Sequence, residues 1–331
     1  MIFYKTSSFG NDFIEIDLEE LASAMPRRPR GGLADLPGRR PLGDLARQIC
    51  DRQRGVGADG VVYYRASRQA ARPGESSRKR VSSSPGAARK QPMEFRIFNR
   101  DGSEAELSGN GMAGLAAVLF QRRLGVSPLT LHAAIGSRQV ELLGRDGAVF
   151  QLAVEIGRPD FANREFFPFL KQATGPGMIA GMEFHPVSVG NPHAVVICRE
   201  MPEVEQLAAM GKEIEGHAMF PKRVNVEFVR PVGPGSCQVF FYERGVGPTL
   251  ASSTGSAAVF AVLRRLGMAG DRLDIDLEAA AAAEDPAGKE PGSQGPGYRA
   301  GAGSEKIQVS WHGGIFIRNF TRIICRGEYF L

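Results

Sequence analysis

The feature that most constrains this chain is a helix entrance written twice. Residues 107–125 read "LSGNGMAGLAAVLFQRRLG" and residues 251–267 read "ASSTGSAAVFAVLRRLG". Each copy has a serine, a short turn of small polar residues, an apolar alanine-rich run and a closing Arg-Leu-Gly. A surface helix keeps a polar stripe. "MAGLAAVLF" and "SAAVFAVL" have none, which predicts two helices buried on all sides. Two sheets, each wrapped around one central helix, would bury them, and 331 residues suffice for two such halves.

In each half a strand and a polar turn lead into the helix: "MEFRIFN" and "RDGS" before the first, "CQVFFYERGVG" before the second. "MIFYKTSSFGNDFIEID" predicts two short strands joined by a tight turn at Gly10-Asn11-Asp12. A helix is expected around "LGDLARQICD", then a glycine-rich turn and the strand "VVYY". After Gly125 the pattern is β-rich through "LTLHAA", "RQVELLG", "AVFQLAVEIG", "HPVSVGNPHAVVIC" and "RVNVEFV", and the closing "IQVSWHGGIFIRNFTRIICRGEYF" is strand-like again. The expected fold class is therefore α/β in the α+β sense: two pseudo-symmetric domains with an active-site cleft between them. The expected division is 1–127 plus about 315–331 for one domain and 128–314 for the other. Low-complexity inserts are expected at about 24–41, 65–92 and 279–304.

Those inserts explain the charge. The chain carries +5 overall with a pI near 9.1, but residues 26–40 and 65–91 together carry +11, leaving −6 for the rest. A basic linker reads as a solvated loop or, less simply, as a tether for RNA or an acidic partner, and no nucleic-acid partner is expected. Four scattered cysteines without a CxxC pair fit reduced thiols in the cytoplasm, and no histidine stands at a metal-ligand spacing. No apolar stretch reaches membrane-span length and the N-terminus does not read as a secretory signal, so no membrane association is expected. "GVGADG" (55–60) fits the dinucleotide-binding string, but it follows a helix and precedes a strand, the reverse of what a nucleotide needs. No cofactor and no metal are expected.

A helix N-terminus offers unpaired backbone N–H groups and the positive end of the helix dipole to a carboxylate or phosphate. Two such ends facing each other could hold one anion, flanked on both faces by the residue before each helix. Racemisation needs that arrangement, a base on one face and an acid on the other. Ser108 and Ser252 also read as plain N-caps of a duplicated fold.

Seven motifs in order, "GNDF" (10–13), "CDRQRGVGADG" (50–60), "FRIFNRDGSE" (95–104), "SGNG" (108–111), "GNPH" (190–193), "RVNVEF" (223–228) and "YERGVG" (242–247), resemble the diaminopimelate epimerase family. The resemblance implies a PLP-independent isomerase of two similar halves, homodimeric, acting on LL- and meso-diaminopimelate or a related amino acid. By position it implies substrate contacts at Asn11, Asn99, Asn191, Asn225, Glu243 and Arg244. His193 and Glu243 match the polar pair beside the acid/base residues. Gly109 and Asn110, with Ser253 and Thr254, match the helix-end positions that hold the carboxylate at the reacting centre. An Arg and several Asn amides are suited to reading a zwitterion, although each Asn singly is also a turn residue.

The chain departs from the family at the centre. The two catalytic residues of the family are cysteines, one before each helix; here both positions are serine, Ser108 and Ser252. A hydroxyl is far less acidic than a thiol and needs an adjacent base. Ser253 and Thr254 stand in place of Gly and Ser, Gly60 in place of a Gln, and "IRNFT" (317–321) in place of "MTGPA". Three readings follow: an epimerase in which Glu243 or His193 activates the serines or acts directly, a different carbon-acid reaction such as dehydration, or a binder of amino acids without turnover.

Overall fold

The computed structural model describes residues 1–24, 39–65, 93–133, 135–170, 175–277 and 306–331. Nearly all of the three expected inserts lies outside the described residues. Their described ends are regular: Ala24 ends a helix, Arg39 begins one and Arg65 ends a strand.

The first half runs β1 (Ile2–Ser8), β2 (Asn11–Asp17), α1 (Leu18–Ala24), α2 (Arg39–Cys50), β3 (Gly60–Arg65), β4 (Met93–Asn99) and β5 (Glu104–Ala105). It continues through α3 (Gly109–Gln121), β6 (Leu129–Ala133), β7 (Gly136–Asp146) and β8 (Val149–Gly157). The second half repeats the plan: β9 (Gly177–Ile179), β10 (Met182–Ser188), β11 (Pro192–Ile197), α4 (Val204–Glu215), β12 (Asn225–Gly233), β13 (Ser236–Glu243) and β14 (Gly247–Thr249). Then follow α5 (Ser253–Arg265), β15 (Arg272–Asp276), β16 (Lys306–Trp311) and β17 (Ile315–Glu328).

The β1–β2 hairpin turns on Phe9 and Gly10, whose φ angles of 49° and 80° are both positive, the geometry that matches strand twist in a two-residue turn. The turn thus falls one step earlier than the sequence suggested, and Asn11 and Asp12 start the second strand.

Strand pairing makes the duplication explicit. β2 and β3 are parallel with Phe13 opposite Gly60, and β11 and β12 are parallel with His193 opposite Asn225. β3 then pairs antiparallel with β4, as β12 does with β13. Beyond the central helix, β4 pairs parallel with β6, as β13 does with β15. In the first half β1, β2, β3, β4, β6, β7 and β8 close into an eight-stranded ring through β17, which pairs with β8 on one side and β1 on the other. In the second half β16 pairs with the start of β17, and the chain just after β8 reaches β10 through the Asp160–Ser188 bridge. β8 and β17 therefore serve both barrels. The expected division at residue 127 cuts ahead of β6, whereas these hydrogen bonds carry β6–β8 into the first barrel.

Each barrel is filled by its helix. Gly109 to Leu119 of α3 and Ser253 to Leu263 of α5 are buried without interruption, which is why neither helix has a polar stripe. α4, a helix the sequence reading did not single out, covers the second barrel from outside with Leu207, Gly211 and Ile214 facing in. No helix among the described residues is long and apolar enough to cross a membrane.

One buried charge stands out in the first barrel. Glu15 is 1% exposed; Thr6 Oγ1 donates to its Oε1 (3.1 Å), and its Oε2 has no hydrogen-bond partner among the described residues. A Cβ on Gly114 of α3 would lie 2.3 Å from Glu15 Oε1, so glycine makes room for the carboxyl. Burial pushes the Glu15 carboxyl well above its ordinary 4.5, with the Thr6 hydroxyl pulling the other way. A raised carboxyl favours the protonated folded state, so its contribution is complete below pH 4.5 and is lost as pH rises through the shifted value. Glu15→Gln is expected to gain stability over the wild type as pH goes from about 4 to about 8, read as a growing difference in urea midpoint; a constant difference would refute it.

Candidate functional site

Both helix entrances have the same local geometry. Ser108 and Ser252 are extended N-cap residues, and each hydroxyl accepts from the third helical amide, Gly111 N–H and Gly255 N–H, at 3.1 Å. That cap leaves the first two amides of each helix, at Gly109 and Asn110 and at Ser253 and Thr254, without an intrahelical acceptor.

The two entrances touch. Ser253 Oγ donates to Asn110 Oδ1 at 2.7 Å. A Cβ on Gly109 would lie 2.5 Å from Ser253 Cβ, so only glycine lets the helix ends approach this closely. Asn319 on β17 donates a second bond to Asn110 Oδ1 (3.0 Å), Thr321 Oγ1 donates to Asn319 Oδ1 (2.9 Å), and Thr321 meets Ser8 at 2.6 Å. The "IRNFT" segment thus supplies a buried polar ladder from β1 to the meeting point of the helices.

Around α5 the polar groups form a network. His193 on β11 is fully buried; its Nδ1 meets Glu227 Oε1 at 2.7 Å and its Nε2 meets Asn191 Oδ1 at 2.9 Å. Asn191 Nδ2 in turn donates to Thr254 Oγ1 at 3.3 Å. Both ring nitrogens of His193 are therefore taken by protein oxygens, and the ring orients Asn191 against the helix entrance. Glu243, at the end of β13, lies beside Ser252. Burial pushes its carboxyl above the ordinary value; the Ser252 hydroxyl works the other way, and the nearby Glu227 charge adds to the rise.

The matching positions around α3 are different. In register, Phe13 corresponds to His193, Gly60 to Asn225 and Asn99 to Glu243. Val62 corresponds to Glu227: a Cβ on Gly111 would meet Val62 at 3.3 Å, and one on Gly255 would meet Glu227 at 2.8 Å. So Ser252 has a carboxyl and a His–Glu pair at hand, while the equivalent positions near Ser108 carry Phe, Val and an amide.

The remaining sequence-selected residues divide. Asn225 is spent on backbone, donating to the Pro192 carbonyl (2.9 Å) and accepting from Arg244 N–H (3.0 Å). Asn99 is turned into its own loop, donating to Ser103 Oγ at 3.0 Å. Asn11 Oδ1 is buried without a partner among the described residues. Arg244 reaches across to Glu106 in the first barrel at 2.8 Å. Glu227 was missed because "RVNVEFV" reads as plain alternation, and a buried charge in it has no local signature. No thiol replaces the serines: Cys50, at the end of α2 and packed against the first sheet, and Cys237, on β13, are buried, with burial pushing both up to about 12. Among the described residues no cluster of three or more His, Cys, Asp or Glu could hold a metal ion.

The model of the family described as diaminopimelate epimerase matches residues 3–162 and 186–282. The chain belongs to the diaminopimelate epimerase family. It is 32% identical to the diaminopimelate epimerase of Methanothermobacter thermautotrophicus over 78% of this chain and 80% of that one. It is 29% identical to that of Carboxydothermus hydrogenoformans over the full length of both. Among solved structures, a hydroxyproline epimerase from Agrobacterium vitis with bound trans-4-hydroxy-L-proline shares the fold at a TM-score of 0.56 and 15% identity, over 99% of this chain and 90% of that one. A PhzF-family phenazine biosynthesis protein from Bacillus anthracis does so at 0.55 and 13%, over 100% and 99%. The two pseudo-symmetric halves read from the sequence are the fold of this family, and the chain is an isomerase of the epimerase class.

The buried pair gives a direct test. His193→Leu leaves Glu227 as an uncompensated buried charge and is expected to cost about 3–5 kcal/mol in urea unfolding, part of which His193→Leu/Glu227→Leu should recover. A loss under about 1 kcal/mol would show that the pair is not held as described.

Proposed function

We propose that the protein epimerises diaminopimelate or a closely related amino acid at Cα without PLP. In this reading the α-carboxylate sits at the free amides of Gly109, Asn110, Ser253 and Thr254, between two positive helix ends. Ser108 and Ser252 then flank the α-carbon from opposite faces. The observation that carries the reading is the contact between the two entrances, Ser253 on Asn110, which brings both sets of free amides to one place.

Proton transfer on the Ser252 face falls to the Glu243 carboxyl, acting directly or by taking the hydroxyl proton. A carboxylate raised by burial is a stronger base than an ordinary one, and so better matched to a weak carbon acid. His193 and Glu227 fix Asn191 beside the helix end, where its amide can read the ligand. Arg244 is the cationic anchor for the rest of the substrate.

One observation favours a second reading. The Ser108 face lacks the carboxyl and the His–Glu pair of the Ser252 face, so the site is built for proton removal on one side. Such a site exchanges or eliminates at Cα more readily than it inverts.

Proton NMR of LL-diaminopimelate with the protein in D₂O decides between these outcomes. Loss of the Cα–H signal with appearance of the meso form is expected for the wild type, and loss without inversion would select one-face chemistry. Glu243→Gln is expected to slow loss of the signal by about 100-fold or more. The wild-type rate should rise with pH through a value above 4.5, because the basic form of Glu243 is needed. A bound ligand whose Cα–H persists for days would refute turnover and leave a binder.

A further inference from the structure

Arg244 follows Glu243 directly, and its guanidinium crosses from the second barrel to the first. Nη2 meets Glu106 Oε2 at 2.8 Å, and Glu106 lies two residues ahead of Ser108. The arginine is held from behind. Its backbone N–H donates to Asn225 Oδ1 (3.0 Å) and its Nη1 to the Lys222 carbonyl (3.1 Å). Both partners of the pair stay within reach of solvent, at 25% and 35% exposure. A guanidinium fixed by backbone, aimed across the gap between the barrels and beside one helix entrance, is arranged to grip a carboxylate. The carboxylate it grips is the protein's own.

We propose that Glu106 is a resident competitor for Arg244, occupying the guanidinium until a ligand with a second carboxylate displaces it, and thereby holding down the affinity for dicarboxylic amino acids while leaving monocarboxylic ones untouched. The competition rests on the proposed reading of the cleft as an amino-acid site. A ligand carboxylate arriving at the free edge of Arg244 meets the negative charge of Glu106 in a partly desolvated place, where like charges are poorly screened. The diacid replaces the Glu106 contact with one of the same kind and loses little. A ligand with a single carboxylate, already used at the helix ends, brings nothing to Arg244 and leaves the pair standing. Glu106 therefore weakens the binding of every ligand that needs Arg244 and leaves the others unaffected.

Titration calorimetry of the full chain with three probes tests this: glutarate, LL-diaminopimelate and L-lysine. Glu106→Gln keeps the shape of the side chain and removes its charge. It is expected to bind glutarate and diaminopimelate about 5–10-fold more tightly than the wild type, with lysine unchanged. In an Arg244→Lys background the Glu106→Gln gain should vanish, since the fork that both carboxylates want is gone. The proposal is overturned by no gain for the diacids (complete absence of binding included), by an equal gain for lysine, or by a gain that survives Arg244→Lys. Should diaminopimelate keep its Cα proton while glutarate shows the full gain, the epimerase reading fails and the competition for Arg244 stands.

Discussion

The hydrogen bond from Ser253 to Asn110 holds two helix N-termini against one another, although each carries the equivalent of roughly half a positive charge. Left alone, such ends repel. The centre of the molecule is organised around that repulsion. Asn110 places its carboxamide oxygen between the ends and accepts from both Ser253 and Asn319. Ser108 and Ser252 each turn a hydroxyl oxygen onto the third amide of their helix. Gly109 removes the side chain that would keep the ends apart. What these devices leave is the first two amides of each helix without an intrahelical acceptor.

The scaffold is symmetric and its chemistry is not. Strand for strand the two barrels match, down to a glycine at the third position of each helix that packs against the same strand. Yet one barrel puts Phe13 and Val62 where the other puts His193 and Glu227. Duplication supplies two facing helix ends without further specification. Polar residues set into one copy then give the two helix entrances different surroundings.

Much of the architecture was legible in the sequence, because a buried helix cannot hide its composition. "MAGLAAVLF" and "SAAVFAVL" announce full burial, and their shared entrances announce duplication. The strands that flank them were visible as alternation. Their partners were not: β6 joins β4 across the whole of α3, a parallel pairing that leaves no trace in either segment, so the division was placed ahead of β6. At the site, serines and glycines at a helix start have an unmistakable local role. Glu227 and Asn319 act only through residues distant in sequence, and a strand of alternating character gives no hint that one of its inward positions carries a charge. Asn99 and Asn225, which read as ligand contacts from their motifs, also hydrogen-bond the loop and the backbone beside them, and those bonds have no signature in the sequence.

The sharing of β8 and β17 has a consequence for how such a chain is made. The first barrel is closed on the β1 side only by residues 321–328, which are made after the whole second half. Until they emerge, β1 and the free side of β8 are open edges with unpaired backbone groups. At ordinary elongation speeds that interval, the time to make the whole second half, is on the order of ten seconds or more. Open edges are templates for pairing with other chains. The nascent first half must therefore either wait on the ribosome as an incomplete sheet or be covered by something else, and its stability as a free domain is not available to help it. The strand that joins the two barrels in the finished molecule is also the one whose lateness leaves the first of them vulnerable during birth.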